Sequence, residues 1–323
     1  MRIVATSPLH PEAEDLLRQT HDYVAAPDPR PETLRDWIGA ADGIIVRSKL
    51  PPDIFDAAPR LKACVRHGVG LDFIPVEAAT AKGIPVANLL EANRQGVVEY
   101  VVGAALSLAR DFTGLDRRLR RDGWQARDGY HGVELAGRTL GVVGCGRIGR
   151  GVADAMRAAF GMRVIGYDTA PPRPGDTIEQ VSLRAVFEQA DVITLHLPST
   201  AETRDLIGAD LLSRMRPGAL LVNAARGDLV DEAALVAGLA QGRPAAAAID
   251  VFRTEPPEAD HPFLTAPNLL LTPHIAGGTQ ESLLRMSLQS AEAMLRILQG
   301  QRPDSLVNPS VWDQHLTRLG AGT

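Results

Sequence analysis

The stretch Thr139-Leu140-Gly141-Val142-Val143-Gly144-Cys145-Gly146-Arg147-Ile148-Gly149 decides the fold. An apolar run reads as a buried strand, and GxGxxG follows it with no spacer. The first glycine permits a tight turn, the second lets backbone approach a pyrophosphate, and the third lets a helix lie close to the strand. The helix opening there would present free N–H groups to phosphates. Gly144, Gly146 and Gly149, with Arg147 and Ile148 between them, are therefore candidate cofactor residues. In a chain with 30 glycines the motif alone is weak. Its place between a strand and a helix gives it weight.

Immediately downstream, Arg163-Val164-Ile165-Gly166-Tyr167 reads as the next strand and ends in Asp168, 19 residues past Gly149. A carboxylate there can bind the adenosine ribose diol and would repel a 2′-phosphate, so NAD is expected over NADP. Arg173, five residues on, is the residue that could offset that preference. Further apolar runs at 191–195, 219–222, 246–250 and 268–271 continue the series, with spacers long enough for crossover helices.

A separate series lies upstream, with strands expected at 2–6, 22–25, 43–47, 61–66 and 84–87 and helices at 11–19, 31–39, 52–57 and 75–82. Pro11, Pro31 and Pro75 stand where helices can begin. Apolar strands alternating with helices predict α/β architecture with parallel sheets covered on both faces. The expected fold is two Rossmann-like or flavodoxin-like parallel-sheet domains with a cleft between them. Longer helical patterns occupy 93–110 and 279–298, whereas 301–323 shows no clear period.

Composition bounds the function. The chain has 323 residues and a formal charge of −5. Its one dense charged run, Asp116 to Trp124, reads as a solvated or subunit-facing helix end, so no nucleic-acid partner is expected. The first residues, Met1-Arg2-Ile3-Val4-Ala5-Thr6, read as a strand and not a signal peptide, and no apolar run is long enough to span a membrane. Cys64 and Cys145 sit in apolar contexts without metal-ligand spacing. No metal site is expected, and a reducing, cytoplasmic location suits both thiols.

Three polar residues fall at or just beyond expected strand ends: Arg226 after 219–222, Glu255 after 246–250 and His274 after 268–271. In an open parallel sheet, ligands bind outside the carboxyl ends of the strands. Hydride delivery to a 2-keto acid leaves charge on the carbonyl oxygen. A histidine can donate the proton, and its neutral form can take one back. A carboxylate on the far ring nitrogen favours the charged form, and an arginine fork can clamp a substrate carboxylate and polarise its carbonyl.

On three ordered motifs the chain resembles the NAD-dependent D-2-hydroxyacid dehydrogenase family, in its phosphoglycerate and hydroxypyruvate (glyoxylate) reductase branch. Asn223-Ala224-Ala225-Arg226-Gly227-Asp228-Leu229-Val230-Asp231-Glu232 resembles the arginine motif, Asp250-Val251-Phe252-Arg253-Thr254-Glu255-Pro256 the glutamate motif, and Pro273-His274-Ile275-Ala276-Gly277 the histidine motif. The resemblance implies that His274 is the acid/base, Glu255 its charge partner and Arg226 the substrate clamp. It extends the cofactor set to His196, Pro198, Thr203, Ala224, Asp250 and Gly277, with Asp250 toward the carboxamide end of the cofactor. It implies a small anionic 2-keto or 2-hydroxy acid as substrate. The residues expected to bind it are Gly68-Val69-Gly70, whose N–H groups can form a small anion nest, together with Arg47, Ser48, Arg66 and His67.

By the same resemblance, a substrate domain spans 1–95 plus 286–323 and an NAD domain 96–285, with 111–131 as the extension that builds a homodimer. Tyr100 stands where the family commonly has histidine. The chain ends soon after Val307-Asn308-Pro309, so a short form without a regulatory domain is expected. Two other functions fit parts of the pattern: an NAD(H)-sensing corepressor-like protein, and a dehydrogenase for phosphite or formate. Glu255 paired with His274 argues for proton transfer and against the latter.

Overall fold

The computed structural model describes residues 1–320 and divides the chain into two compact units, Met1–Asn93 with the segment from Thr279 onward, and Arg94–Gly278. The first unit begins with strands β1 (Arg2–Ala5), β2 (Asp22–Ala25), β3 (Gly43–Val46), β4 (Ala63–Arg66) and β5 (Val86–Ala87), and helices α1 (Pro11–Arg18), α2 (Pro31–Ile38) and α3 (Val76–Ala81). The strands pair in parallel in the order β2-β1-β3-β4-β5, which is the flavodoxin-like order.

The second unit contains α4 (Arg94–Arg110), α5 (Phe112–Asp122), β6 (Thr139–Val143), α6 (Arg147–Phe160), β7 (Arg163–Tyr167), β8 (Glu179–Gln180), α7 (Leu183–Gln189), β9 (Val192–Leu195), α8 (Ala209–Arg214), β10 (Leu220–Asn223), α9 (Glu232–Ala240), β11 (Ala246–Ile249) and β12 (Leu269–Leu271). Its seven strands are all parallel, in the order β12-β11-β10-β9-β6-β7-β8. The chain then returns to the first unit through α10 (Gln280–Leu298) and α11 (Trp312–Leu319).

Each sheet is packed on both faces. In the second unit, Val98, Val101, Ala105, Val152 and Met156 from α4 and α6 meet Leu140 and Val142 on one face. Phe187, Leu212, Leu235 and Leu239 from α7, α8 and α9 meet Val143, Ile193 and Leu221 on the other. Strands buried on both sides read as unbroken apolar runs, which is why the strands other than β8 were legible. In the short β8, Glu179 and Gln180 are exposed and polar. The tail also holds more order than its sequence suggests. Trp312, His315, Leu316 and Leu319 fall at helical spacing, but the buried His315 interrupts the apolar stripe.

Registry places the functional edge. Strand β6 lies between β9 and β7, so the chain order reverses at the β6/β9 boundary, the switch point where such sheets bind ligands. Val143 and Leu195 are paired there, which sets Gly144 beside His196. On the same side of the sheet, Asn223 pairs with Ile249 and Ile249 with Leu271. The three loops that carry Arg226, Glu255 and His274 therefore leave neighbouring strands at the same edge.

Candidate active site

The glycine motif is built by close approach. Gly144 has φ +97°, and a Cβ on it would sit 2.7 Å from the carbonyl of His196. A Cβ on Gly149 would lie 2.2 Å from the oxygen of Gly144. Both positions exclude side chains, so the turn packs between β6, β9 and the start of α6. At Gly146 a Cβ would meet nothing within 4 Å, so the helix entrance is open toward the edge of the sheet. Arg147 and Ile148 form the first turn of α6. This cradle fits a dinucleotide pyrophosphate, with the α6 N-terminus as its anion-binding element.

Asp168 is fixed at the end of β7. Its carboxylate accepts hydrogen bonds from the Cys145 N–H (2.7 Å) and the Ala170 N–H (2.9 Å). A cleft of about 190 Å³ runs beside it, lined by Gly146, Arg150, Asp168, Arg173, Asp176 and Gln180 among others. Arg150 forms an ion pair with Asp176 there, and Asp176 also faces the Arg173 N–H at 3.4 Å. Arg150 and Asp176 were not singled out in the sequence, although Arg150 directly follows the glycine motif. Cys145 lines the same cleft, and burial pushes its thiol up to about 11. It is a packing group and not a nucleophile.

Of the remaining cofactor candidates, His196 pairs its Nε2 with Thr194 Oγ1 at 3.0 Å, and burial lowers its imidazole to about 4. Thr203 donates to the Pro198 carbonyl at 2.7 Å, closing the loop after β9. Ala224 packs against the second unit's core, and Gly277 lies in the turn after His274.

The arginine, glutamate and histidine loops are joined by specific contacts. Asn223 is buried; its side chain donates to the Arg226 carbonyl (2.8 Å) and accepts from the Ala225 N–H (3.1 Å), which shapes the loop after β10. A Cβ on Gly227 would lie 2.0 Å from the Phe252 carbonyl carbon, so only glycine lets the arginine loop rest on the glutamate loop. Glu255 accepts the Phe252 N–H at 3.0 Å through one oxygen and meets His274 Nδ1 at 2.6 Å through the other. Burial opposes ionisation of Glu255. The bonds from His274 and Phe252, with the charges of His274 and Arg226, outweigh it and hold the carboxyl below its ordinary range. A carboxylate that accepts at Nδ1 fixes the proton on that nitrogen and leaves Nε2 as the acceptor of the neutral ring.

His274 itself has φ +55°, a left-handed backbone that costs a non-glycine residue roughly 1–2 kcal/mol. Asp250, which is fully buried, holds it there. Its carbonyl accepts the His274 N–H at 2.7 Å. Its carboxylate accepts from the Ile275 N–H (2.9 Å), the Ala276 N–H (2.8 Å) and the Thr272 hydroxyl (2.6 Å). Hydrogen bonds to a charged group contribute roughly 1.5–3 kcal/mol each, so this set outweighs the strain. The geometry of Asp250 is that of a clamp on the histidine loop.

The substrate candidates lie in the first unit. Thr6, fully buried and missed in the sequence, accepts the N–H groups of Arg47 (2.8 Å) and Ser48 (2.9 Å) and so sets the loop after β3. The Arg47 guanidinium bonds to the Pro8 carbonyl, and burial lowers it from its usual range. Arg66 donates to the carbonyls of Val46 (2.7 Å), His67 (2.9 Å) and Gly70 (3.1 Å) and stacks over Phe73, so it braces the Gly68–Gly70 loop. Among the described residues, the N–H groups of Val69 and Gly70 meet no protein acceptor, as an anion nest requires.

The His67 side chain is enclosed and bonded to Ser287 Oγ at 3.0 Å. Ser287 Oγ also accepts the His10 N–H at 3.0 Å, so one hydroxyl joins the loop after β4 to the start of α1. Burial, reinforced by the charge of Arg47, pushes His67 down to about 3. A histidine buried neutral binds fewer protons in the native state than in the unfolded state between that value and its ordinary pKa of about 6.5. Stability should therefore fall as pH drops through that window, by at most about 1.4 kcal/mol per unit from this group. Urea midpoints measured from pH 7 to 4 should fall less steeply for His67→Asn than for wild type. Parallel slopes would exclude His67 as a source of acid lability.

Among the described residues no helix is long and apolar enough to cross a membrane, and no cluster of side chains could hold a metal. Residues 102–276 match the family described as D-isomer specific 2-hydroxyacid dehydrogenase, NAD binding domain. The chain is 39% identical over 328 residues to the D-3-phosphoglycerate dehydrogenase of Methanocaldococcus jannaschii, an alignment that takes in 99% of this chain and 62% of that protein. It is 38% identical over 324 residues to the glyoxylate reductase of Aeropyrum pernix, covering 96% of each. The NADPH-dependent glyoxylate/hydroxypyruvate reductase of Sinorhizobium meliloti, solved with NADP and malonate, superposes with a TM-score of 0.84 at 30% identity, over 95% of this chain and 96% of that one. A family match that takes in more than half of the sequence, and a relative aligned over nearly the whole of both, show that this chain belongs to the D-isomer specific 2-hydroxyacid dehydrogenase family.

Proposed function

We propose that the protein interconverts a small D-2-hydroxy acid and its 2-keto acid with a nicotinamide dinucleotide. The observation that carries this reading is the 2.6 Å contact between His274 and Glu255 beside the Arg226 loop, at the same sheet edge as the glycine cradle. The cofactor, when bound, supplies or accepts the hydride. His274 Nε2 donates a proton to the substrate oxygen in reduction and removes it in oxidation. Glu255 stabilises the protonated ring. Arg226 pairs with the substrate carboxylate and the developing charge. In the first unit, the N–H groups of Val69 and Gly70 offer an anion a further site. Exposed Phe112, Leu119 and Trp124 support 111–131 as a self-association arm, with a homodimer as the assembly.

Turnover of glyoxylate, hydroxypyruvate and 3-phosphohydroxypyruvate with NADH and NADPH tests the reading. Reduction of at least one is expected; inactivity with all six combinations would favour a cofactor-sensing role instead.

For the cofactor we propose NAD(H), through Asp168. Each of its oxygens keeps a lone pair beyond the backbone N–H it already accepts, enough for the two ribose hydroxyls. A 2′-phosphate would remove one of these bonds and add repulsion, and each tenfold of preference is about 1.4 kcal/mol. Arg150 cannot offset this while it is paired with Asp176. Asp168→Ser should narrow the NADH:NADPH ratio of kcat/KM by roughly tenfold or more. Equal use of both cofactors by wild type, as the NADPH-dependent relative makes worth testing, would overturn the assignment.

A further inference from the structure

Tyr100 lies on α4 with its hydroxyl 2.6 Å from Thr272 Oγ1. Thr272 Oγ1 in turn lies 2.6 Å from Asp250 Oδ1. A threonine hydroxyl has one proton. Since the Asp250 carboxylate can only accept, that proton goes to Asp250, and Tyr100 must be the donor to Thr272. The chain therefore has one direction, from Tyr100 through Thr272 to Asp250. It ends on the carboxylate that also receives the Ile275 and Ala276 N–H groups following His274. Burial, with the charge of Asp250 adding to it, pushes the Tyr100 phenol up to about 12, so the donor keeps its proton throughout the working range.

We propose that Tyr100 is a positioning residue for His274, acting through Thr272 and Asp250. This rests on the acid–base reading of His274. The left-handed turn at His274 is strained, and a strained residue keeps its conformation only where its surroundings over-determine it. Thr272 stands two residues before His274 and gives its carbonyl to the His274 N–H at 3.1 Å, so its placement enters the turn directly. Without the Tyr100 proton, Thr272 Oγ1 loses its fixed donor, and its hydroxyl is held to Asp250 from one side only. The turn then samples arrangements in which Nε2 is displaced. A displacement on the order of 1 Å is enough to cost about a hundredfold in rate when it is permanent. A partly populated displacement costs less.

The test uses Tyr100→Phe, Thr272→Val and the double variant, with Thr272→Ser as the hydroxyl-retaining control. Amide hydrogen exchange at Ile275 and Ala276 is read on the cofactor-free protein, and kcat and KM on the holoenzyme with glyoxylate and NADH. Either single variant should speed exchange by about tenfold, equivalent to about 1.4 kcal/mol of opening free energy. The double should be no worse than the more affected single, because both interrupt one chain. Thr272→Ser should keep the protection. In the holoenzyme kcat should fall about tenfold with the KM for NADH within twofold, whereas a general loss of folding would move both. Exchange within twofold of wild type in Tyr100→Phe, or effects that multiply in the double variant, would overturn the proposal. If wild type reduces no keto acid, the acid–base reading has failed, and the exchange data still decide whether Tyr100 holds the turn.

Discussion

His274→Ala should lose roughly 10²–10⁴-fold in kcat in both reaction directions, with cofactor affinity within a few-fold of wild type. The imidazole is the one group of the motif set able to donate a proton at neutral pH and accept it back. Its Nδ1 is committed to Glu255 at 2.6 Å, so Nε2 alone is available to the substrate oxygen. The cradle around Gly144 and the Asp168 carboxylate lie on other strands and do not depend on the His274 side chain. The variant also removes a β-carbon substituent from a left-handed residue that Asp250 holds through backbone and flanking amides, so the loop should keep its path. Steady-state kinetics in both directions, with cofactor titration by fluorescence, measures the two quantities separately. Turnover within a few-fold of wild type would remove His274 from the chemistry. Loss of cofactor affinity equal to the loss of rate would make it a structural residue.

The sequence carried the fold because of where the apolar residues are. Strands packed on both faces, such as Leu220–Asn223 and Val192–Leu195, cannot tolerate many polar residues and so announce themselves. The glycine motif was legible for a similar reason: Gly144 and Gly149 are excluded from substitution by backbone 2.7 and 2.2 Å from where a Cβ would be. What could not be read was pairing at a distance. Nothing in Thr272 says that it joins a helix residue 172 positions earlier, since a hydroxyl that closes a hydrogen-bond chain has the same letter as one facing water. Thr6 and Ser287 were hidden in the same way, each set by contacts across the first unit.

Charged residues were the hardest to read. Arg66 invites assignment to an anionic substrate, and nothing in its local sequence tells that its guanidinium also reaches three backbone carbonyls. Asp250 was legible as an important acid through the resemblance. Its task as a clamp becomes visible only when the Ile275 and Ala276 N–H groups are seen to converge on it. Roles of this kind depend on where a side chain points, and that is fixed by packing and not by the local sequence.

Arg226→Lys should also fail, although the charge is kept, and the loss should fall mainly on kcat. A guanidinium presents a planar fork that can meet two oxygens at once, whereas an ammonium is a compact point charge on a flexible stem. The loop that carries Arg226 is built rigidly: Asn223 ties down the carbonyl of Arg226 and the N–H of Ala225, and Gly227 seats the loop against Phe252. Such preorganisation is wasted on a group needed only for charge. It suits one that must face both a substrate carboxylate and a carbonyl oxygen gaining charge, since donors fixed in advance stabilise a transition state without reorganising. Removing one donor of that type costs about 10²–10³-fold in kcat. Arg226 also helps hold Glu255 ionised, so the lysine variant, which keeps the charge but not its fixed position, should retain part of that effect while losing the fork. Arg226→Lys is therefore expected to lose about a hundredfold in kcat, and Arg226→Ala more, with a raised KM for the keto acid in both. Kinetics of the two variants with the best keto acid of wild type separate the possibilities. Equal kcat for Arg226→Lys and wild type would mean that charge alone suffices. A change confined to KM would place Arg226 in substrate binding and outside transition-state stabilisation.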